Sequence, residues 1–141
     1  SLRHGRAHMI RAVMEGVAMS LRDCAELAGE VGVRADEIRV TGGGARSKLW
    51  REILAATMNS RVSTTSVDEG PAYGAAMLAA VGVGAFGSVE QACASLIRVS
   101  ESMEPDDDQA RAYDAVYSLY RPLYGELKPF YERSACVFGR R

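Results

Sequence analysis

The residues with the clearest chemical potential lie in segment 41–50, which reads Thr-Gly-Gly-Gly-Ala-Arg-Ser-Lys-Leu-Trp. β-branched residues precede this segment and an amphipathic run follows it, so the predicted order is strand, glycine turn and helix. Three consecutive glycines remove three side chains from one turn, and a ligand can therefore approach the backbone closely. The following helix would direct its free N–H groups and the positive end of its dipole toward that ligand. Such a turn is a natural anion site, and a nucleotide phosphate is the usual anion.

Two common phosphate-binding motifs do not fit this segment. A P-loop needs Gly-Lys followed by Ser or Thr, whereas here Lys48 follows Ser47. The dinucleotide motif G-x-G-x-x-G needs a final glycine where this chain has Ser47. Taken alone, the segment leaves a nucleotide site and a purely structural tight turn equally open.

The elements around this turn follow from periodicity and from helix start and stop signals. Along the chain we predict a helix from Ala7 to about Val31, a strand from Glu37 to Thr41, a helix from Arg46 to about Met58, a strand from Arg61 to Thr65, a helix opened by Asp68-Glu69-Gly70-Pro71 and running to about Val81, a helix from Val89 to Leu96 and a last helix after the acidic turn Glu104–Asp108. Gly32 would stop the first helix, and Ser88 with Gln91 would form a capping box. The first helix would carry one apolar stripe made of Met9, Val13, Val17, Leu21, Cys24 and Ala28.

This order of helices and strands predicts an α/β fold in which neighbouring strands are parallel. Only two convincing strands are found, although sheets average about five or six. Two strands alone rarely make a stable sheet. We therefore expect the chain to be part of a larger domain, with a sheet edge and apolar helix faces that promote self-association.

Composition excludes several classes of protein. A length of 141 residues fits one domain, and a net charge of -1 argues against a nucleic-acid binder. The three cysteines are widely spaced without a C-x-x-C pair, which is typical of a reducing cytosol and not of a zinc site or a disulfide framework. No signal peptide is visible at the start of the sequence. The uncharged run 74–86 is shorter than the roughly 18–20 residues of a membrane helix.

Three segments together carry a resemblance to a known family. They are His8–Ala18, with its His-apolar-x-x-Ala-apolar-apolar-Glu pattern, the glycine segment Thr41–Trp50, and Glu69–Ala80, which reads E-G-P-A-Y-G-A-A-M-L-A-A. On these residues the chain resembles the C-terminal domain of the FGGY carbohydrate kinases, and within them most closely the xylulokinases. The resemblance extends from Arg3 to about Tyr131.

The resemblance implies a fold and a division of labour. The family has two domains of the actin-like, ribonuclease-H-like ATPase fold, and ATP and sugar meet between them. Residues 1–141 would be the C-terminal part of the nucleotide-binding domain, with few parallel strands and flanking helices, and the N-terminal sugar-binding domain would lie outside them. The family's catalytic aspartate stands in a Gly-Asp motif that this sequence lacks, since Asp23, Asp36 and Asp68 have other surroundings. We therefore assign no catalytic residue.

The resemblance also implies which residues contact the cofactor, ATP or ADP with Mg²⁺. The nucleotide-binding positions would be Gly42, Gly43, Gly44, Ala45, Ser47 and Lys48. Gly43 and Gly44 would approach the phosphates, while Ala45, Ser47 and Lys48 would border the adenosine. Magnesium would arrive with the nucleotide and need few protein ligands, so no metal-ligating residue is assigned.

Other residues that could do chemistry have a stronger structural interpretation. No Ser or Cys nucleophile accompanies His8, which we interpret as a hydrogen-bonded structural residue. Glu15 would pair with Arg11 one turn earlier. The small residues of 72–80 would let that helix pack closely, although Glu69 and Gly70 at its start could face a cleft.

The C-terminal part of the sequence is treated in the same way. Its tyrosines, interleaved with arginines, could stack on bases, but their spacing on one helical face favours packing. They are Tyr113, Tyr117, Tyr120 and Tyr124. Pro122 would kink or end this helix. The aspartates 106–108 are better read as a solvated helix start than as a metal site.

The resemblance thus implies the nucleotide-binding portion of a cytoplasmic sugar kinase, which as a full enzyme would convert D-xylulose and ATP to xylulose 5-phosphate and ADP. The sugar would be bound mainly outside this chain, and the isolated chain would be inactive. Neither nucleic acid nor membrane is an expected partner. Two alternatives stay open: a stand-alone nucleotide-binding or interaction module without catalysis, and a kinase of the same family for gluconate, ribulose, rhamnulose or glycerol.

Overall fold

The computed structural model of the chain describes residues 3–33, 35–67 and 70–139. Within these ranges the chain forms six α-helices, three β-strands and one short 3-10 turn. In order they are α1 (Arg6–Glu30), β1 (Glu37–Val40), the 3-10 turn (Gly43–Arg46), α2 (Lys48–Met58), β2 (Arg61–Thr65), α3 (Gly70–Gly82), α4 (Val89–Leu96), β3 (Val99–Met103), α5 (Asp107–Tyr120) and α6 (Leu123–Phe138). Both predicted strands are present, as are the helices up to residue 96.

Helix α1 ends where the sequence predicted. Gly32 has a φ of +87°, which a glycine adopts without steric cost. The N–H groups of Gly32 and Val33 donate to the carbonyls of Gly29 and Ala28. This pair of bonds is the Schellman arrangement that closes a helix end.

The apolar stripe predicted on α1 does not face the core. Met9, Val13 and Val17 are exposed, and the helix buries Ala18 and Met19 instead. Arg11 and Arg22, which lie on the same side of α1 as Ala18, bond to Tyr113 and Asp114 of α5. Tertiary contacts, and not the apolar stripe, therefore decide which face of α1 is covered.

The three strands form one mixed sheet in the order β1-β2-β3. Strands β1 and β2 are parallel, as predicted, with Ile38 opposite Val62. Strand β3 runs antiparallel to β2, with Thr64 opposite Glu101. The sequence analysis missed β3 because Val99-Ser-Glu-Ser-Met is short, polar and mostly exposed, without the hydrophobic alternation that marks a half-buried strand.

The core lies between the sheet and three helices. Helix α2 is its centre and buries five consecutive residues, 53–57. Its neighbours are α1 and α5, and the core is completed by Ala18, Met19, Val62, Tyr113 and Tyr117. Since side chains alternate across a strand, Val40 and Val62 face this core and Thr41 and Thr65 face the opposite side, near α3.

Helix α3 behaves differently from its prediction. Its small residues were expected to pack closely, yet none of its described residues is buried. Its helical neighbour is α4, to which it is tied by the Tyr73 hydroxyl that donates to the Leu96 carbonyl at 3.0 Å. Glu69 lies outside the described residues. Ser88 is the N-cap of α4 as predicted, and its Oγ accepts from the Gln91 N–H. The capping box is only half formed, because Gln91 Oε1 accepts from the Gly87 N–H and not from that of Ser88.

The C-terminal helix was predicted as one unit and is two. Helix α5 ends at Tyr120, and Pro122 lies immediately before α6. Proline cannot donate to the preceding turn, so the predicted end at Pro122 is confirmed, whereas the placement of Tyr124 on the same helix as Tyr113 is wrong. Among the described residues no helix is both long and apolar enough to cross a bilayer.

Candidate functional site

The glycine turn follows β1 at the carboxyl end of the parallel pair. Thr41 directly follows β1 and Thr65 ends β2, so the turn lies at the edge where α/β sheets commonly bind ligands. Gly42 has a φ of +79°, a backbone conformation that L side chains rarely adopt. The sequence therefore needs a glycine here for the turn itself, whatever binds to it.

The next two glycines leave different amounts of space. A Cβ placed on Gly43 would meet no atom within 4 Å, whereas one on Gly44 would lie 3.4 Å from Cδ1 of Trp50. Gly44 is thus packed under the Trp50 ring, and Gly43 presents bare backbone to an open space. The structure gives no internal reason for glycine at position 43, which suits a backbone that a ligand approaches.

The turn is closed by its own hydrogen bonds. The Ala45 N–H donates to the Gly42 carbonyl at 3.0 Å, and the Ser47 N–H donates to the Gly44 carbonyl at 3.1 Å. The first N–H groups of a helical turn have no partner within it, and here they belong to Gly43 and Gly44. These donors, on bare backbone, are the ones a phosphate would use.

The start of α2 differs from the sequence expectation. The helix was expected to follow the glycines directly from Arg46, but the 3-10 turn intervenes and α2 begins at Lys48. Ser47 is its N-cap, and Ser47 Oγ accepts from the Trp50 N–H at 3.3 Å. The start of the helix therefore already has a cap on the Trp50 N–H, and the predicted contact with a phosphate would fall to the 3-10 turn that precedes it.

The remaining predicted site residues lie close together on this stretch. Ala45 is buried, and only its backbone can reach a ligand. The ammonium of Lys48 is 3.3 Å from Glu52 on the helix surface, with 76% of its side chain exposed. The structure thus brings the glycines and Ala45 into one turn and places Ser47 and Lys48 at its exit.

Arg51 was not predicted and joins two elements of the site. Its Nη1 donates to the Ala45 carbonyl at 2.5 Å, and its Nη2 donates to Glu101 at 2.7 Å. No signal in the sequence could have found it, because Glu101 lies on the strand β3 that the pattern did not show.

Two clefts open beside the turn, one on each face of the sheet. A polar cleft of about 280 Å³ is lined by hydroxyls, two arginines and one carboxylate, among them Thr41, Arg46, Arg51, Thr64, Ser100 and Glu101. An apolar cleft of about 220 Å³ is lined by residues that include Val67, Gly70, Tyr73, Met77 and Ile97. Guanidinium and hydroxyl groups suit an anionic ligand, so the polar cleft next to the turn is the candidate site.

Helix α3 approaches this site at its first residue. A Cβ on Gly70 would lie 2.9 Å from Oγ1 of Thr41, a distance that real Cβ atoms do not tolerate. Gly70 therefore lets α3 lie against the end of β1, and it connects the apolar cleft to the glycine turn through Thr41.

The other candidates have structural roles. His8 Nδ1 accepts from the Gly5 N–H at 3.2 Å, and the predicted Arg11–Glu15 pair is present at 2.8 Å. Asp106 caps α5 by accepting from the Gln109 N–H at 2.8 Å. In the described ranges no group of three acidic, His or Cys side chains could hold a metal ion.

The predicted packing of the first tyrosines is confirmed. Tyr113 and Tyr117 are buried, and their hydroxyls donate to Glu15 at 2.7 Å and to Asp23 at 2.5 Å. Burial, and then the hydrogen bond to the Asp23 carboxylate, raises the pKa of Tyr117 above its ordinary value. Neither ring is available to stack on a base.

Comparison with known proteins gives a consistent result. The model of the "FGGY family of carbohydrate kinases, C-terminal domain" matches residues 1–83. A xylulose kinase of Bacillus subtilis is 37% identical over 125 residues, which cover 89% of this chain and 25% of that protein. An erythritol kinase of Brucella abortus is 36% identical over 129 residues, covering 90% and 24%. The crystal structure of xylulose kinase from Rhodospirillum rubrum has a TM-score of 0.80 at 33% identity, covering 94% of this chain and 27% of that one.

The chain therefore spans about a quarter of the length of the curated relatives it matches. Its mixed sheet with flanking helices is a part of the actin-like ATPase fold of these kinases.

Proposed function

This chain belongs to the FGGY family of carbohydrate kinases, and we propose that it forms the ATP-binding wall of a sugar kinase. The observation that carries the proposal is the open backbone at Gly43, which no internal contact explains. A glycine turn at the carboxyl end of a strand, beside a cleft with two arginines, is suited to phosphate oxygens.

In this proposal the N–H groups of Gly43 and Gly44 bind the phosphates, next to the turn-forming Gly42. Ala45, Ser47 and Lys48 border the adenosine. Ser47 Oγ accepts from Trp50, but a hydroxyl also has a proton to donate, so its cap does not prevent a contact. Lys48 is exposed enough to leave Glu52 and reach a ligand.

The reaction we propose is transfer of the γ-phosphate of ATP to a sugar hydroxyl, with xylulose as the substrate. Bound MgATP supplies the phosphoryl group and most of the charge neutralisation. This chain orients the nucleotide through fixed backbone donors, which need no rearrangement during the reaction. It contributes no proton acceptor, and we assign that role to a carboxylate outside these residues.

The choice of sugar rests on names of relatives only. The relatives described above include both a ketose kinase and a polyol kinase. The residues assigned in this proposal bind the nucleotide, so they do not distinguish one sugar from another. Only the overall similarity to the relatives favours xylulose. A cytoplasmic location is part of the proposal and rests on three free, widely spaced cysteines.

Replacing Gly43 with alanine tests the nucleotide assignment. The added Cβ meets no protein atom within 4 Å, so the folded state should keep its stability. A nucleotide lying against this backbone would be displaced, and we expect the Kd for ADP, measured by calorimetry, to rise at least about tenfold, which is ~1.4 kcal/mol. Gly16→Ala on α1 is the matched control, since its Cβ also has open space.

Two results would contradict the proposal: no ADP binding by the unaltered protein, or equal affinity in the Gly43→Ala variant. A separate assay tests the assignment of the proton acceptor. Turnover of xylulose and MgATP by residues 1–141 alone would show that the acceptor lies within this chain.

A further inference from the structure

We propose that Arg51 and Glu101 are positioning residues that hold the glycine turn in the shape that accepts a nucleotide phosphate. The inference rests on the proposed function, because it concerns the same turn. It adds two residues that neither the motif nor the comparisons assign. They stand 50 positions apart and meet only because β3 pairs with β2.

The geometry of Arg51 is that of a clamp between two elements. Nη1 donates to the Ala45 carbonyl at 2.5 Å, and Nη2 donates to a carboxylate oxygen of Glu101 at 2.7 Å. A guanidinium is planar and presents its N–H groups in a fixed fork. With both terminal nitrogens engaged, the group cannot rotate without breaking one of these bonds.

The Ala45 carbonyl is the point at which this clamp acts on the turn. The last carbonyls of a helical turn have no partner within it, and Ala45 is buried, where an unpaired carbonyl is costly. A charge-assisted bond from Arg51 satisfies it. Fixing this peptide group also fixes the turn that carries the N–H groups of Gly43 and Gly44.

Glu101 fixes the orientation of the Arg51 side chain. The Arg51 side chain is only 14% exposed, whereas that of Glu101 is 66% exposed. The exposed Glu101 carboxylate therefore bonds to the mostly buried guanidinium from the protein surface. This bond keeps the guanidinium oriented between β3 and the glycine turn. Without it, Arg51 would be free to turn toward the polar cleft that it lines.

The chain contains a matched control for this pair. Arg61 on β2 bonds to Glu104, just after β3, at 2.5 Å. Both pairs join an arginine to a glutamate near β3, but the Arg61–Glu104 pair has no bond to the glycine turn. A pair that joins only the strands should leave the turn unchanged when it is removed, and this is the behaviour expected of Arg61–Glu104.

The test measures the turn directly and then its ligand. Amide hydrogen exchange of Ala45 and Ser47 reports the opening of the two bonds that close the turn. We expect it to accelerate about fivefold to tenfold in Arg51→Ala and in Glu101→Gln, since a bond to a charged group is lost, and less in Arg51→Lys. In Arg61→Ala it should not change. The Kd for ADP should rise in the same order, by about the same factors.

Several outcomes would overturn the inference. One is unchanged exchange at Ala45 and Ser47 in both Arg51→Ala and Glu101→Gln. A second is equal acceleration in Arg61→Ala, which would indicate general loosening. A third is an unaltered Kd for ADP in an Arg51 variant whose turn has opened. Accelerated exchange in a protein that binds no ADP in any form would support the clamp and contradict the proposed function, so the two failures are distinguishable.

Discussion

The α1–α2–α5 region and the α3–α4 region use apolar residues in opposite ways. Helix α2 contains charged side chains and nevertheless buries five consecutive residues. Helix α3 contains no charged residue, yet none of its described residues is buried. The comparison teaches that apolar composition does not decide burial, because a helix becomes a core element only where partners cover it.

The glycine turn stands at the border between these regions. Ala45 is anchored in the packed region by Arg51, and Gly70 brings α3 against Thr41. A rigid support on one side and an open cleft on the other is the arrangement that a fixed binding backbone requires.

The largest expected difference between the regions is in core stability. Ile53 on α2 is 0% exposed, whereas Leu78 on α3 is 60% exposed. Ile53→Ala should lower the free energy of unfolding by about 3–4 kcal/mol, because it leaves a cavity, and Leu78→Ala should change it by less than about 0.5 kcal/mol. Urea titration followed by circular dichroism measures both.

The same experiment bears on self-association, which we predicted from exposed apolar surface. If Leu78→Ala lowered the free energy of unfolding strongly, and more so at higher protein concentration, α3 would be covered by a second copy of the chain. A large loss that did not depend on concentration would show that α3 is part of the core of one chain, and would contradict the contrast between the two regions.

The second prediction concerns the tyrosines that attach α5 to α1. Tyr117→Phe removes the hydroxyl that donates to Asp23 at 2.5 Å and leaves a carboxylate without that partner. We expect a loss of about 1–2 kcal/mol in the free energy of unfolding. Tyr124→Phe on α6 is the control, since Tyr124 is exposed and should cost almost nothing. Equal effects of the two substitutions would contradict the assigned role.

The pH dependence of stability sharpens this assignment. The pKa of Tyr117 is raised in the folded protein, first by burial and then by Asp23. An unfolded tyrosine ionises near about pH 10, so the unfolded state loses its proton first as pH rises. Stability is therefore complete below about pH 10 and falls above it, by up to ~1.4 kcal/mol per pH unit for one group.

Unfolding titrations between about pH 8 and pH 11 measure this slope, with the ordinary tyrosine pKa near about 10 as the reference. Tyr117→Phe should reduce this slope without abolishing it, because burial and the hydrogen bond to Glu15 also raise the pKa of Tyr113. A slope that Tyr117→Phe leaves unchanged would show that Tyr117 does not contribute to it.

The smallest effect is expected where the two regions touch. Gly70→Ala places a Cβ 2.9 Å from Thr41 Oγ1, and the threonine must shift at a cost of about 1 kcal/mol. Removing that side chain with Thr41→Ala should relieve the clash, so the double variant should cost less than the sum of the two single ones. Strict additivity, measured by thermal or urea unfolding, would indicate that α3 does not rest on β1.

Much of the fold and of the candidate site could be predicted from local signals. Gly32, Ser88 and Pro122 act through their own backbone or side-chain chemistry, and the helix boundaries they predicted are confirmed. Strand β3 could not be predicted, because Ser and Glu fill it and its pairing with β2 is a tertiary contact. The apolar stripe of α1 was wrongly expected to face the core for a related reason. Periodicity indicates that a helix has an apolar face, but it does not indicate which element covers that face.

The sequence by itself determined the family, the order of elements up to residue 96 and the position of the glycine turn, because these depend on residues close together along the chain. Only the tertiary structure decided that a 3-10 turn separates the glycines from α2, that Gly44 packs against Trp50 while Gly43 opens onto free space, and that Arg51 reaches both Ala45 and Glu101. The last of these depends on where β3 and α2 meet in space. Contacts between residues 50 positions apart leave no periodic trace in a sequence, since loop closure and packing bring them together only when the chain folds.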